Sequence, residues 1–287
     1  MRTRIAISFA LVAGLALGQA QPKPKSQKEV EAIQAIFSAQ DPDGRIAAAE
    51  KLLTDFADTE FKAIALQVAA ASAQQKNDFE KMVVYAERTL EADPKNYASM
   101  LMLANGIAQR TREFDLDKEE KLARSEKYAK TAMDIVKTAT KPREDIPDAD
   151  WDNAKKSYLA QGYEALGLSA MVRKKYGDAA TQFQAALDAS PEPATVVRLA
   201  AAHNLANQPD QAIAVLDKLN TMADVHPTIK SAAAQERNKS VKLKGGPGAA
   251  KPAATPAPGA APAPTTPAAP TATPVPTNPA PATPPAK

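Results

Sequence analysis

The sequence predicts an all-α protein, a solenoid of about five helical hairpins closed by a capping helix and followed by a disordered Pro/Ala-rich C-terminal tail. Three observations predict it. Apolar residues recur at 3.6-residue spacing through most of the chain. The stretch 162–191, GYEALGLSAMVRKKYGDAATQFQAALDASP, sets small residues (Gly167, Ala170, Ala179) where two helices would cross. It surrounds them with Leu166, Tyr176 and Phe183 and ends on Pro191, which stops a second helix. Beyond Gly245 the composition changes abruptly, with 14 of the 24 prolines and no acidic residue.

The elements follow in order. After a polar leader at 21–26, the stripe Val30, Ile33, Ile36, Phe37 predicts a helix from near Gln27. Asp41-Pro42-Asp43-Gly44 breaks it, with proline suited to the first turn of the next helix. That next helix carries Ile46, Ala49, Leu52, Leu53 and Phe56. The second hairpin has Leu66, Ala69, Ala70 and Ala73 on its first helix and a turn at Asn77-Asp78. Phe79, Ala86, Leu90 and Pro94 belong to its second helix. The third starts at Tyr97 with Leu103, Ala104 and Ile107 and has an enlarged turn, QRTREFDLDKEEK. That turn reads either as a long loop or as a charged helix extension with internal ion pairs. Ser125, Ala129 and Ala132 then carry a helix to about Lys137. Two prolines in KTATKPREDIPDAD predict a loop, with Asp148 or Asp150 capping a long helix that starts near Trp151. The fourth hairpin is the stretch at 162–191. The fifth has Leu199, Ala200, His203, Ala212, Leu216 and Leu219 in register, with Pro209 in its turn. A polar helix over roughly 227–241 would cover the exposed end of the stack.

With Tyr163, Leu166, Gly167, Ala170, Tyr176, Ala179, Phe183, Ala186 and Pro191 at their observed spacing, the chain resembles the tetratricopeptide-repeat family, in the form found in exported bacterial proteins. The resemblance runs from near Gln27 to near Leu219, weakest in the first hairpin. It implies a right-handed superhelix and a concave groove lined by the first helix of each hairpin. Counting the family's groove positions onto this chain gives Gln67, Gln74, Gln75, Asn105, Gln109, Gln161, Glu164 and Asn204. Amides dominate, which suits hydrogen bonding to an extended peptide backbone or a glycan. Some relatives clamp a partner's terminal carboxylate with paired lysine and asparagine. Of that clamp Asn105 alone has a match, so the relationship does not carry over.

The termini suggest an address. Arg2 and Arg4, the apolar run Ile5 to Leu17, and Gly18-Gln19-Ala20 read as a signal peptide at 1–20, cleaved after Ala20. The run is shorter than the roughly 20 residues that span a bilayer. The mature chain is then expected to be periplasmic or secreted, with no transmembrane segment and a repeat domain over 27–244. No cysteine occurs, which excludes disulfides, thiolate metal sites and a lipidated cysteine. Without Arg2 and Arg4 the 36 basic side chains become 34 against 33 acidic, so nucleic acid is not an expected partner. The tail at 245–287 lacks large apolar side chains and cannot offset the entropy of ordering.

Chemistry is sparse. His203 and His226 have neither zinc-ligand spacing nor a sequence-local partner, and no phosphate loop, metal-binding helix motif or serine elbow is present. No catalytic, cofactor or metal site is expected. Two loops are further candidates for partner binding: Arg110, Arg112 and Phe114 in the enlarged turn, and Trp151 at the end of the proline-bearing loop. The resulting expectation is a non-enzymatic adaptor in the cell envelope that binds a protein or peptide through its groove. The alternatives are a structural element whose tail contacts the cell wall, and a glycan-binding accessory module.

Overall fold

The computed structural model describes residues 22–245; the expected signal peptide and nearly all of the Pro/Ala-rich tail lie outside the described residues. The described part is all-α, with helices packed in sequential antiparallel pairs. The hairpins are α1 (Gln27–Ser38) with α2 (Pro42–Asp55), α3 (Lys62–Gln75) with α4 (Phe79–Ala92), and α5 (Tyr97–Arg110) with α6 (Lys118–Thr138). They continue with α7 (Asp148–Val172) and α8 (Tyr176–Ala189), then α9 (Pro193–Leu205) and α10 (Pro209–Asp217). A 3-10 turn over Lys218–Thr221 leads to a final helix, α11 (Pro227–Gly245). Each pair packs on the next, and α5 also packs on α7, as α9 does on α11.

Local chemistry starts several helices where the sequence places them. Ser26, Asp41, Asp78 and Asn96 each accept a hydrogen bond from a first-turn backbone N–H, so α1, α2, α4 and α5 begin on side-chain caps. The long helix α7 differs from expectation. It begins at Asp148 behind Pro147, with no side-chain cap, so Asp148 and Asp150 lie inside its first turn. There they complement the positive end of the helix dipole instead of satisfying a specific N–H. The enlarged turn is a loop over 111–117; Gln109 and Arg110 belong to α5, and the residues from Lys118 belong to α6. Pro209 occupies the first turn of α10, Leu219 falls in the 3-10 turn, and α11 runs on to Gly245.

Three hairpins turn in the same way. After α3, α7 and α9 one residue takes a left-handed conformation: Asn77 (φ 58), Lys174 (φ 61) and Asn207 (φ 57). In each case its N–H donates to the carbonyl three residues back, and the next N–H reaches the carbonyl five residues back. The pairs are Asn77–Gln74 and Asp78–Ala73, Lys174–Met171 and Lys175–Ala170, and Asn207–Asn204 and Gln208–His203. This Schellman geometry satisfies two end-of-helix carbonyls and reverses the chain in three residues. At Asn77 the side chain is exposed, so substitution there isolates backbone strain. We expect Asn77→Val to destabilise by about 2 kcal/mol, because a β-branched residue resists positive φ, and Asn77→Gly to be nearly neutral. Urea unfolding followed by circular dichroism checks both.

The hairpin crossings need small residues. A Cβ on Gly167 would lie 2.6 Å and 2.7 Å from the ring of Phe183, which is wholly buried. On Gly106 it would meet Met82 and Phe79 of the preceding hairpin, and on Gly162 the side chain of Met133 of α6. Ala170 and Ala179 are buried beside the same crossing of α7 and α8.

The N-terminal end of the stack is fixed by a carboxylate. Glu29, buried in the first turn of α1, accepts from the Thr59 hydroxyl at 2.6 Å and the Lys25 N–H at 2.5 Å. Those two donors, the hydroxyl first, hold its carboxyl below the usual range. A depressed folded-state value means that this tie stabilises above the unfolded-state value, about 4.3, and is lost as pH falls through the folded one. Glu29→Gln is therefore expected to shrink the difference between urea midpoints measured at pH 7 and pH 3.

Candidate functional site

The first helices of the hairpins expose fewer amides than their register suggests, because neighbouring elements consume several. Gln67 accepts from the Asn96 amide at 3.0 Å, and Gln75 accepts from the Arg45 guanidinium at 2.6 Å. Glu164 forms an ion pair with Arg198 of α9 and accepts from the Thr195 hydroxyl at 3.1 Å. Both charges of that pair are about four-fifths sheltered, so it ties α7 to α9 and is no free ligand for a partner.

Two asparagines at groove positions are buried staples between helices. The Asn105 amide, on α5, donates to its own-helix carbonyl of Leu101 at 3.1 Å and to the Gln161 carbonyl of α7 at 3.0 Å. The Asn204 amide, on α9, donates to the Glu236 carbonyl and carboxylate of α11, each at 3.0 Å, while its oxygen accepts from the Ser240 hydroxyl at 2.8 Å. In both cases an amide from one first helix is bound to the backbone of the next. Neither residue is open to an extended partner: Asn105 is 8% exposed and Asn204 6%. The cause is coverage by α7 and by α11, which the spacing of residues on α5 and α9 does not reveal.

Gln74, Gln109 and Gln161 remain. Their side chains are exposed and carry no hydrogen bond among the described residues. They stand on α3, α5 and α7, three successive first helices.

The loop candidates divide. Trp151 is 5% exposed and packs among Tyr97, Met100, Leu101, Ala132 and Val136, so it pins the start of α7 and is not a surface anchor. Arg110 lies over the Phe79 ring at 4.6 Å and donates to the Asn77 carbonyl at 3.4 Å. Arg112 is exposed, and Phe114 is 88% exposed. Leu116 beside it is fully exposed, a candidate that the sequence reasoning missed. The signal was there in the sequence: Phe114 and Leu116 have no apolar residue three or four positions away, so neither can join an apolar helix face.

Asp115 organises that loop. It accepts from the Arg112 N–H at 3.2 Å and the Lys121 ammonium at 3.1 Å, and its carbonyl accepts from the Lys118 N–H at 3.2 Å. The two donors, the Arg112 N–H first, keep its carboxyl below the ordinary aspartate range. From outside, Glu113 pairs with Lys174 at 2.5 Å and Glu119 with Arg173 at 2.7 Å, which fastens the loop and the start of α6 to the turn between α7 and α8.

No three of His, Cys, Asp and Glu gather into a metal site among the described residues, and no described helix is long and apolar enough to cross a membrane. His203 contacts Gln208 at 2.8 Å, inside its own hairpin turn. What the surface offers is hydrogen bonding from amides and a small apolar projection.

No protein-family model matches the chain, and no curated relative does. Among solved structures it is similar to TTC0263, a thermophilic TPR protein of Thermus thermophilus. The likeness has a TM-score of 0.45 at 15% sequence identity, over 73% of this chain and 97% of that one.

Proposed function

We propose that this chain is an exported, non-catalytic scaffold that holds an extended segment of a protein partner along its first helices. The observation that supports this most is the trio Gln74, Gln109 and Gln161, three exposed amides without partners among the described residues on successive first helices. Each offers two N–H donors and a carbonyl acceptor, which match the single donor and acceptor of a peptide unit. Neighbouring packed helices stand about 10 Å apart, close to the length of three extended residues, so one chain could meet each amide in turn. The resemblance of residues 162–191 to the tetratricopeptide repeat points the same way. Export is part of the proposal and rests on the sequence from Arg2 to Ala20.

The test is site-specific photo-crosslinking of the full chain in its native cells, with benzoylphenylalanine at position 74, 109 or 161 and at Val84 on α4 as control. One common protein adduct at the first three positions and none at Val84 is the expected result. Adducts absent from all three, or equally strong at Val84, overturn the groove. Terminal sequencing of the purified protein should begin at Gln21; a retained Met1 overturns export.

A further inference from the structure

The most exposed apolar side chains of the described residues are Phe114 and Leu116, adjacent on the loop over 111–117. Apolar groups standing free on a loop are ordinarily mobile or covered. These stand on a backbone fastened at both ends by Asp115, Lys174 and Arg173. Such a preorganised projection loses little entropy on being covered.

The place where α11 ends says what lies within reach. Asn204, late in α9, meets Glu236 and Ser240, and Asp210, just beyond α9, pairs with Lys244 at 2.5 Å. Positions on α9 and α11 therefore rise together, so α11 runs parallel to α9 and ends on the edge that carries the hairpin turns. Along that edge lie, in order, Asp210, the turn at Lys174, and the loop at Phe114, with the last two joined through Glu113. Three helix-to-helix steps of about 10 Å separate the end of α11 from the loop. About ten residues of extended polyproline chain, at ~3.1 Å each, cover that distance.

We infer that the Pro/Ala-rich segment 246–287 of the same chain docks on Phe114 and Leu116. Proline-rich segments bind where an exposed aromatic face meets their rings, and residues 256–267 hold Pro256, Pro258, Pro262, Pro264 and Pro267 at the required reach. Charge does not oppose this cover: the only ionisable side chains in 246–287 are Lys251 and Lys287, and the loop carboxylates Glu113, Asp115, Asp117 and Glu119 are already paired with Lys174, Lys121 and Arg173.

The full chain tests this. Because it has no cysteine, Thr265→Cys gives a single site for a nitroxide. At low protein concentration the spin label should broaden the amide resonances of residues 113–117, and the broadening should be lost in a Phe114→Ser/Leu116→Ser background. Both serines are on exposed positions, so the fold is retained in that variant. Benzoylphenylalanine at position 114 should crosslink to 250–287 within the monomer. Broadening that survives the double variant overturns the docking, as does an absence of tail crosslinks. Crosslinks confined to a dimer band overturn docking within one chain. Broadening of 113–117 that appears only with added phosphatidylglycerol vesicles assigns the projection to lipid, and so overturns the inference too.

Discussion

Phe183→Ala is expected to lower the free energy of unfolding by about 4 kcal/mol, at the upper part of the range for a buried aromatic. Phe183 has no exposed surface and fills the crossing of α7 and α8, the tightest of the five hairpins in sequence terms. Its ring lies against the backbone of Gly167, at a distance that leaves no room for a methyl group. Around it stand Leu168, Ala179, Leu187, Val196 and Leu199, so the cavity left by truncation is bounded by two hairpins and cannot collapse from one side. The partner substitution makes the argument sharper. Gly167→Ala in the natural background drives a methyl into the ring and should cost about 2 kcal/mol. In the Phe183→Ala background the same methyl enters empty space and gains the helix propensity that glycine lacks, about 1 kcal/mol. A change of sign, with a coupling of about 3 kcal/mol in a double-mutant cycle, is the expected outcome by urea unfolding. Simple additivity would show that the two helices do not approach closely at Gly167.

Trp151→Ala is expected to cost about 3 kcal/mol, with the loss concentrated in one part of the molecule. Trp151 lies in the first turn of α7, and its indole fills the space between α5 and α6 beside Tyr97, Leu101 and Val136. Tyr158, two turns further on, meets Tyr97 edge-to-face at 5.0 Å, so the two aromatics together lay the first half of α7 along the third hairpin. Lys155 adds its ammonium 6.0 Å from the indole. Removal should raise amide hydrogen exchange over 148–160 and leave 27–55 unchanged, because units in a stack depend mainly on their neighbours and the first hairpin does not touch this cluster. Trp151→Phe should recover most of the loss. Trp151 is the only tryptophan, so its emission in the natural protein reports this docking alone. Equal exchange changes along the whole chain would contradict a local role.

The hairpins were legible in the sequence because their determinants are local. Gly167, Ala179 and Phe183 occupy a spacing that only two crossing helices explain, and Asn77-Asp78 is a turn by its own chemistry. The surface was legible only in part. The spacing that puts Asn105 and Asn204 on the open face of α5 and α9 is correct as helix geometry, but openness depends on the element that follows. The middle of α7, at Gln161, lays its backbone over Asn105, and α11 covers Asn204. Both are long-range facts. Trp151 is similar, since nothing within the proline-bearing loop distinguishes a packed indole from a displayed one. Gln74, Gln109 and Gln161 were selected by the same count that selected the asparagines, and only the packing separates the two groups.

The closing helix has a further consequence. The side chains that α11 buries outright are Glu236 and Ser240, tied to Asn204, while Arg237 and Lys244 hold Asp217 and Asp210 from the rim. A stack of this kind begins to open at its ends. When this end opens, a carboxylate, a hydroxyl and an amide reach water, and so does the apolar patch of Ala200, Ala212 and Leu216 against which Ala233 packs. α11 therefore acts as a polar-tied cover over a surface that another frayed molecule could adhere to, and loss of its ties to Asn204, Asp210 and Asp217 would raise the risk of aggregation.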